Sequence, residues 1–145
     1  MKYEFISKDD PEYEQVVKLR YDTFFKPYNL GWENIYDELE ENAIHLVCTN
    51  GDEVVGYGRL NFDDKDAVVS QMVVKEGFQK RGIGTSILEK LIMFSLNKGE
   101  DKVVLSAKVG AIKFYERIGF ILDSEVYPSK KTGLPHIRMI KNLSV

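Results

Sequence analysis

Residues 73–86 read VVKEGFQKRGIGTS: an apolar run, then two adjacent cations, Lys80 and Arg81, then Gly82 and Gly84, then the hydroxyls of Thr85 and Ser86. This order of residue types suits anion binding. A helix opening at Ile83 leaves its first N–H groups unpaired at the positive end of the helix dipole, where a phosphate is held. Glycines let that backbone approach an anion closely, and the cations and hydroxyls add charge and donors. Two familiar phosphate loops fail on a required residue. Gly77 to Gly82 has the P-loop spacing, but Ile83 stands where the lysine belongs. Gly82-x-Gly84 is followed by Ile87 in place of the third glycine of a dinucleotide fingerprint. A tight strand-to-helix turn without a ligand is the competing reading.

The elements that must hold this loop follow from periodicity. Lys2 to Ser7 alternates as a short strand, and Asp10-Pro11 reads as a helix start, with Asp10 as N-cap and Pro27 ending the helix. Trp32 to Glu41 reads as a second, shorter helix. Ile44–Cys48 and Val54–Leu60 form a hairpin across Asn50-Gly51. Ala67–Val74 follows a polar turn at residues 63–66 as a central, apolar strand. Ile83, Ile87, Leu88, Leu91, Ile92 and Ser95 make one face of an amphipathic helix stopped by Gly99. Lys102–Ala107 is a strand, Ala111–Ile118 a helix stopped by Gly119, Phe120–Tyr127 a strand, and His136–Lys141 the last strand after a loop. The strand–helix–strand at residues 67–107 supplies one parallel crossover in an otherwise antiparallel meander.

Composition narrows the classes. The chain has 145 residues and a net charge of −3, so a single domain spanning 1–145 is expected, with no basic face for nucleic acid. One cysteine, Cys48, excludes an intrachain disulfide scaffold and reads as a small buried hydrophobe. No apolar run approaches the ~18 residues of a membrane helix, and MKYEFISKDD lacks a signal-peptide core, so a cytoplasmic chain with no membrane partner is expected. No Cys/His cluster has zinc spacing, and no metal is expected. Glu33, Asp37, Glu38, Glu40 and Glu41 read as a solvated helix face. By spacing alone, Ala111, Phe114, Tyr115 and Ile118 are an apolar helix stripe.

Gln79-Lys80-Arg81-Gly82-Ile83-Gly84 resembles the Q/R-x-x-G-x-G/A signature of the GNAT superfamily of acyl-CoA-dependent N-acetyltransferases, and residues 111–120, AIKFYERIGF, resemble its A-x-x-F-Y-E-x-x-G-F segment. Residues 19–27 and 133–137 are similar to a bacterial subgroup of that superfamily. The resemblance implies an α/β (α+β) fold: a mixed, mostly antiparallel twisted sheet of about seven strands flanked by about four helices. It implies acetyl-CoA as cosubstrate, with its pyrophosphate on residues 79–86 (Gln79, Lys80, Arg81, Gly82, Ile83, Gly84, Thr85, Ser86) and Phe114 beside it. The backbone of Met72, Val73 and Val74 would pair with the pantetheine arm, and the Val73 N–H would polarise the thioester carbonyl.

It also implies Tyr115 as proton donor to the departing thiolate. Val68 stands where some members carry a base glutamate, so the base falls to His136, with Glu125 or a water relay as alternatives. Arg20, Tyr28 and Trp32 could line the acceptor pocket, bordered by the acids at 33–41, which would then favour a cationic amine. His45 receives no role. The activity implied is direct acetyl transfer to a primary amine of a small molecule or protein, by a monomer or homodimer. A non-catalytic coenzyme A-binding regulatory or partner-binding module, or a nucleotide-binding α/β domain, would share these features.

Overall fold

A computed structural model describes residues 1–64 and 66–143. Its strands are β1 (Lys2–Ile6), β2 (Ile44–Asn50), β3 (Glu53–Asp63), β4 (Asp66–Val74), β5 (Lys102–Lys108), β6 (Ile121–Leu122), β7 (Tyr127–Pro128) and β8 (Pro135–Asn142). The helices are α1 (Glu12–Arg20), α2 (Ile83–Asn97) and α3 (Ile112–Arg117). All eight strands join one sheet in the order β1-β2-β3-β4-β5-β8-β6, with β7 also on β8. Among the described residues only β4 and β5 run parallel, joined across α2; every other pair is antiparallel. The mixed sheet with one crossover is therefore as the periodicity predicts. The polar turn includes Lys65, which lies outside the described residues.

The core is the face of α2 pressed on the sheet. Ile83, Ile87, Leu88 and Leu91 are buried against Leu46, Val55, Leu60, Val69 and Leu105. Gly58 in β3 permits this approach: a Cβ there would stand 2.8 Å from Ile87 Cγ2 and 2.9 Å from Met72 Sδ. Cys48 is fully buried in the same cluster.

Four local expectations need correction. Asp10 does not cap α1; its Oδ2 accepts the Ser7 N–H at 2.8 Å, and Pro11 takes the N-cap position. The helix does not stop cleanly before Pro27. It widens into a π-turn at Tyr21–Phe25 and then tightens into a 3-10 turn at Lys26–Tyr28. Trp32–Glu41 is not a helix beyond one 3-10 turn at Trp32–Ile35, because Asp37 and Glu40 turn inward to arginines instead of lying on a solvated face. Among the described residues three α-helices thus flank the sheet, where about four helices were expected. Finally, the expected strand Phe120–Tyr127 is split into β6 and β7. Ser124 Oγ accepts the Arg138 N–H at 2.9 Å, taking the place of a backbone partner and interrupting the ladder.

Candidate active site

Two features of β4 open the site. The strand is bulged opposite β3: Tyr57 faces Val73 and Arg59 faces Ser70, so Gln71 and Met72 share the single residue Gly58. Gln71 sits at φ +57, a left-handed conformation costly for a residue with a Cβ. On the other side the parallel register with β5 ends at Val69–Leu105, and the two strands part. The gap is a cleft of about 630 Å³ lined by Ser70 to Val74, Ser106, Tyr115 and His136. It continues into a second cleft of about 560 Å³ at the N-terminus of α2, the two sharing Met72, Val73, Val74, Gln79 and Tyr115.

Strand alternation decides which N–H groups this gap can use. The Lys75 N–H donates to Val55 O in β3 at 2.8 Å, so the Val73 N–H two residues back also faces β3. The Val74 backbone faces the gap, and its carbonyl accepts Gln79 Nε2 at 3.1 Å. Of the two, the N–H that faces the gap is therefore that of Val74, not that of Val73, to which the resemblance assigned the oxyanion. The side chain of Val73 is core.

At the α2 terminus the loop turns through left-handed φ at Lys80 (+64) and at Gly82 (+81), which is the N-cap of the helix. Lys80, Gly82, Ile83, Gly84, Thr85 and Phe114 line the cleft. Two expected residues do not. The Arg81 guanidinium lies over the Phe78 ring, 5.1 Å from its centroid, and Ser86 is absent from the lining of both clefts. Arg117 at the end of α3 joins Lys80 on this cleft, a cation that spacing alone did not single out. No carboxylate lines either cleft among the described residues. An anionic, extended ligand such as the pyrophosphate arm of coenzyme A fits this set of donors.

Tyr115 lies at the junction of the clefts, edge-on to Phe114 and Phe120 at 5.0 and 5.9 Å. Burial pushes its phenol up to about 12, so it stays protonated at neutral pH. His136, at the start of β8, lines the same cleft. Its Nδ1 is 2.9 Å from Leu134 O; a carbonyl only accepts, so Nδ1 carries a proton, and in the neutral tautomer the acceptor nitrogen is Nε2. Glu125 is exposed and outside the cleft, and Val68 contributes only an apolar wall.

Behind the bulge lies a buried ionic cluster that the sequence reading missed. Arg20 and Glu40 are 0% and 3% exposed. Arg59 bridges Glu40 and Asp37, at 2.8 and 3.0 Å. Tyr13 donates to Glu40 at 2.6 Å. His45, also buried, pairs through Nδ1 with the Tyr57 hydroxyl, and burial keeps its pKa below the ordinary value and the ring neutral. Arg20 thus supports the site from behind instead of lining it. Trp32 is 46% exposed and stacked on Tyr21 at 3.8 Å, and so belongs neither to the core nor to this cleft. Thr23 and Phe24, from the π-turn, do line it.

Residues 7–143 match the acetyltransferase (GNAT) domain family. The chain belongs to that family of acyltransferases. It is 28% identical over 137 residues to YjcF, an uncharacterized N-acetyltransferase of Bacillus subtilis, covering 94% of this chain and 97% of the relative. It is 29% identical over 133 residues to the Escherichia coli protein ElaA, covering 88% and 86%. The crystal structure of Escherichia coli ElaA superposes with a TM-score of 0.83 at 22% identity, covering 97% of this chain and 99% of that one. An aminoglycoside 6'-N-acetyltransferase complexed with coenzyme A superposes at 0.79 with 19% identity, covering 98% and 97%. No helix among the described residues is long and apolar enough to cross a membrane.

Proposed function

We propose that the protein transfers an acetyl group from acetyl-CoA to a primary amine by direct attack in a ternary complex. The observation that carries this reading is the junction of the two clefts. The α2 terminus, with Lys80, Gly82 and Thr85, suits a pyrophosphate, and the gap between β4 and β5 leads from it to Tyr115 and His136. The coenzyme A bound in the aminoglycoside N-acetyltransferase of similar fold supports the choice of cosubstrate.

In this mechanism the acceptor enters as an ammonium, whose deprotonation at pH 7 costs about 4–5 kcal/mol from an ordinary amine pKa. His136 Nε2 takes that proton. The amine nitrogen then forms a bond to the thioester carbonyl carbon, while the Val74 N–H stabilises the negative oxygen. Collapse breaks the C–S bond and expels the sulfur as a thiolate, and the nitrogen gives up its second proton to that thiolate or to water, leaving a neutral amide. A phenol at about 12 lies well above an ordinary thiol, so complete proton transfer from it to the released thiolate would cost on the order of 5 kcal/mol. Tyr115 therefore acts by hydrogen-bonding the sulfur as its charge develops and keeps its own proton.

Thiol release from acetyl-CoA across a panel of amines, with mass spectrometry of the products, tests the proposal. Amine-dependent release with formation of the acetamide is the expected result. Thermal stabilisation by coenzyme A with no release from any amine would replace it with a non-catalytic binding module. Stabilisation by ATP or NAD but not coenzyme A would point to a nucleotide-binding domain.

A further inference from the structure

The far end of the gap, away from the α2 terminus, is cationic. A side pocket of about 190 Å³ opens there, sharing Phe24, Gln71, Lys108 and His136 with the main cleft. Lys130 and Lys131 also line it, with the hydroxyls of Ser129 and Thr132 beside them. The loop that carries them is closed by two backbone bonds, Ser129 N–H to Leu134 O at 2.8 Å and Gly133 N–H to Ser129 O at 2.9 Å. Lys108 lies directly across the β5–β8 ladder from His136. Lys131 is engaged by the Phe25 ring at 5.3 Å and donates to Asn34 O at 3.2 Å. Lys108 and Lys130 form no ion pair among the described residues.

No carboxylate among the described residues lines this pocket. The acids at 33–41 that could have drawn a cationic acceptor are not there. Asp37 and Glu40 are committed to Arg59 and Arg20. A polyamine or aminoglycoside would bring several positive charges toward Lys108 and Lys130 with no counter-charge.

We infer that the acceptor is an amine that also carries an anionic group, a carboxylate or a phosphate, which Lys108 and Lys130 hold beside His136. This rests on the acetyl-transfer reading.

Matched acceptors test the inference: phenylalanine against 2-phenylethylamine, phosphoethanolamine against ethanolamine, with spermidine and kanamycin as polycations. The anionic member of a pair should show kcat/KM at least tenfold above its match. A Lys108→Gln/Lys130→Gln double variant should erase that advantage with unchanged melting temperature and coenzyme A affinity. Calorimetry on the products should show N-acetylphenylalanine binding at least fivefold more tightly than N-acetyl-2-phenylethylamine in the native protein alone. Preference for the polycations or the uncharged-tail amines, or an anionic preference that survives the double variant, would overturn the inference and leave acetyl transfer standing. Failure of every amine while coenzyme A still binds would instead overturn the transfer reading, and this inference with it.

Discussion

The Arg20 guanidinium and the Glu40 carboxylate meet as a bidentate pair, Nη1 to Oε2 at 2.8 Å and Nη2 to Oε1 at 2.9 Å, both side chains almost wholly removed from water. The pair is one end of a chain of contacts that reaches the cleft. Arg20 Nε donates to Gln71 Oε1 at 3.2 Å, and Arg59, which shares Glu40, donates through Nε to Ser70 Oγ at 2.9 Å. Gln71 is a bulged residue of β4, Ser70 is the paired residue immediately before it, and both line the gap. Buried charge is weak evidence for stability, but removing one partner from such a set is costly.

Glu40→Gln should therefore destabilise the fold by about 3–5 kcal/mol, because two buried guanidiniums lose their shared counter-charge. The same group gives the acid limb of stability. Burial alone would raise its carboxyl, but bonds from Arg20, Tyr13 and Arg59 outweigh that and hold it at about 2, below the ordinary 4.5. A depressed pKa gives stability that is fully present above 4.5 and lost as pH falls toward 2. Urea titrations of the native protein should show that loss, and those of Glu40→Gln a flatter acid limb. Equal slopes in the two proteins would show that Glu40 is not held as an ion in solution.

Tyr115→Phe removes the hydroxyl at the junction of the clefts while keeping the edge-on packing against Phe114 and Phe120. Turnover at saturating acetyl-CoA should fall at least tenfold with little change in coenzyme affinity. A phenol pushed up to about 12 also predicts no loss of rate from its ionisation below pH 10 in the native protein. Unchanged turnover in the variant would remove Tyr115 from the mechanism.

How much of this was legible in the sequence depends on the range of the interaction. The glycines of the α2 terminus, the apolar stripe of α2 and the Asn50-Gly51 hairpin are local, and their residue types predict them. The bulge is different. Gln71 gives no sign of left-handed backbone, because its conformation is imposed by β3 and by Arg20, fifty-one residues away. The acids at 33–41 misled for the same reason. Their charge reads as solvated until Arg20 and Arg59 arrive from other elements to bury Glu40. Lys108 and Lys130 are ordinary surface lysines in sequence, and only the β5–β8 register gathers them around His136.

Gly82 at φ +81 allows a separation of backbone from packing effects. A Cβ there meets nothing within 4 Å, so Gly82→Val does not crowd a neighbour; it strains the N-cap turn that aims the cradle. Calorimetry should find coenzyme A binding at least tenfold weaker. Gly51, at φ +62 in the distant hairpin, is the control: Gly51→Val strains a turn of the same kind and should leave coenzyme affinity alone. Normal affinity in Gly82→Val would sink the cradle assignment.

Gln71 separates two contributions at one residue. Its left-handed backbone costs about 1–2 kcal/mol for any side chain with a Cβ. Its amide satisfies Arg20 Nε, a buried donor whose loss costs about 1–3 kcal/mol. Gln71→Ala keeps the strain and loses the bond; Gln71→Gly loses both. The glycine variant should therefore be the more stable of the two by about 1 kcal/mol, against the usual order in a strand, where alanine wins. Both should raise the KM of the amine acceptor, since Gln71 faces the acceptor end of the cleft, and leave coenzyme binding within a factor of two or three. Denaturant melts decide the order. An alanine variant more stable than the glycine one would mean that β4 does not hold the bulged conformation in solution, and the gap that carries the chemistry would lose its structural cause.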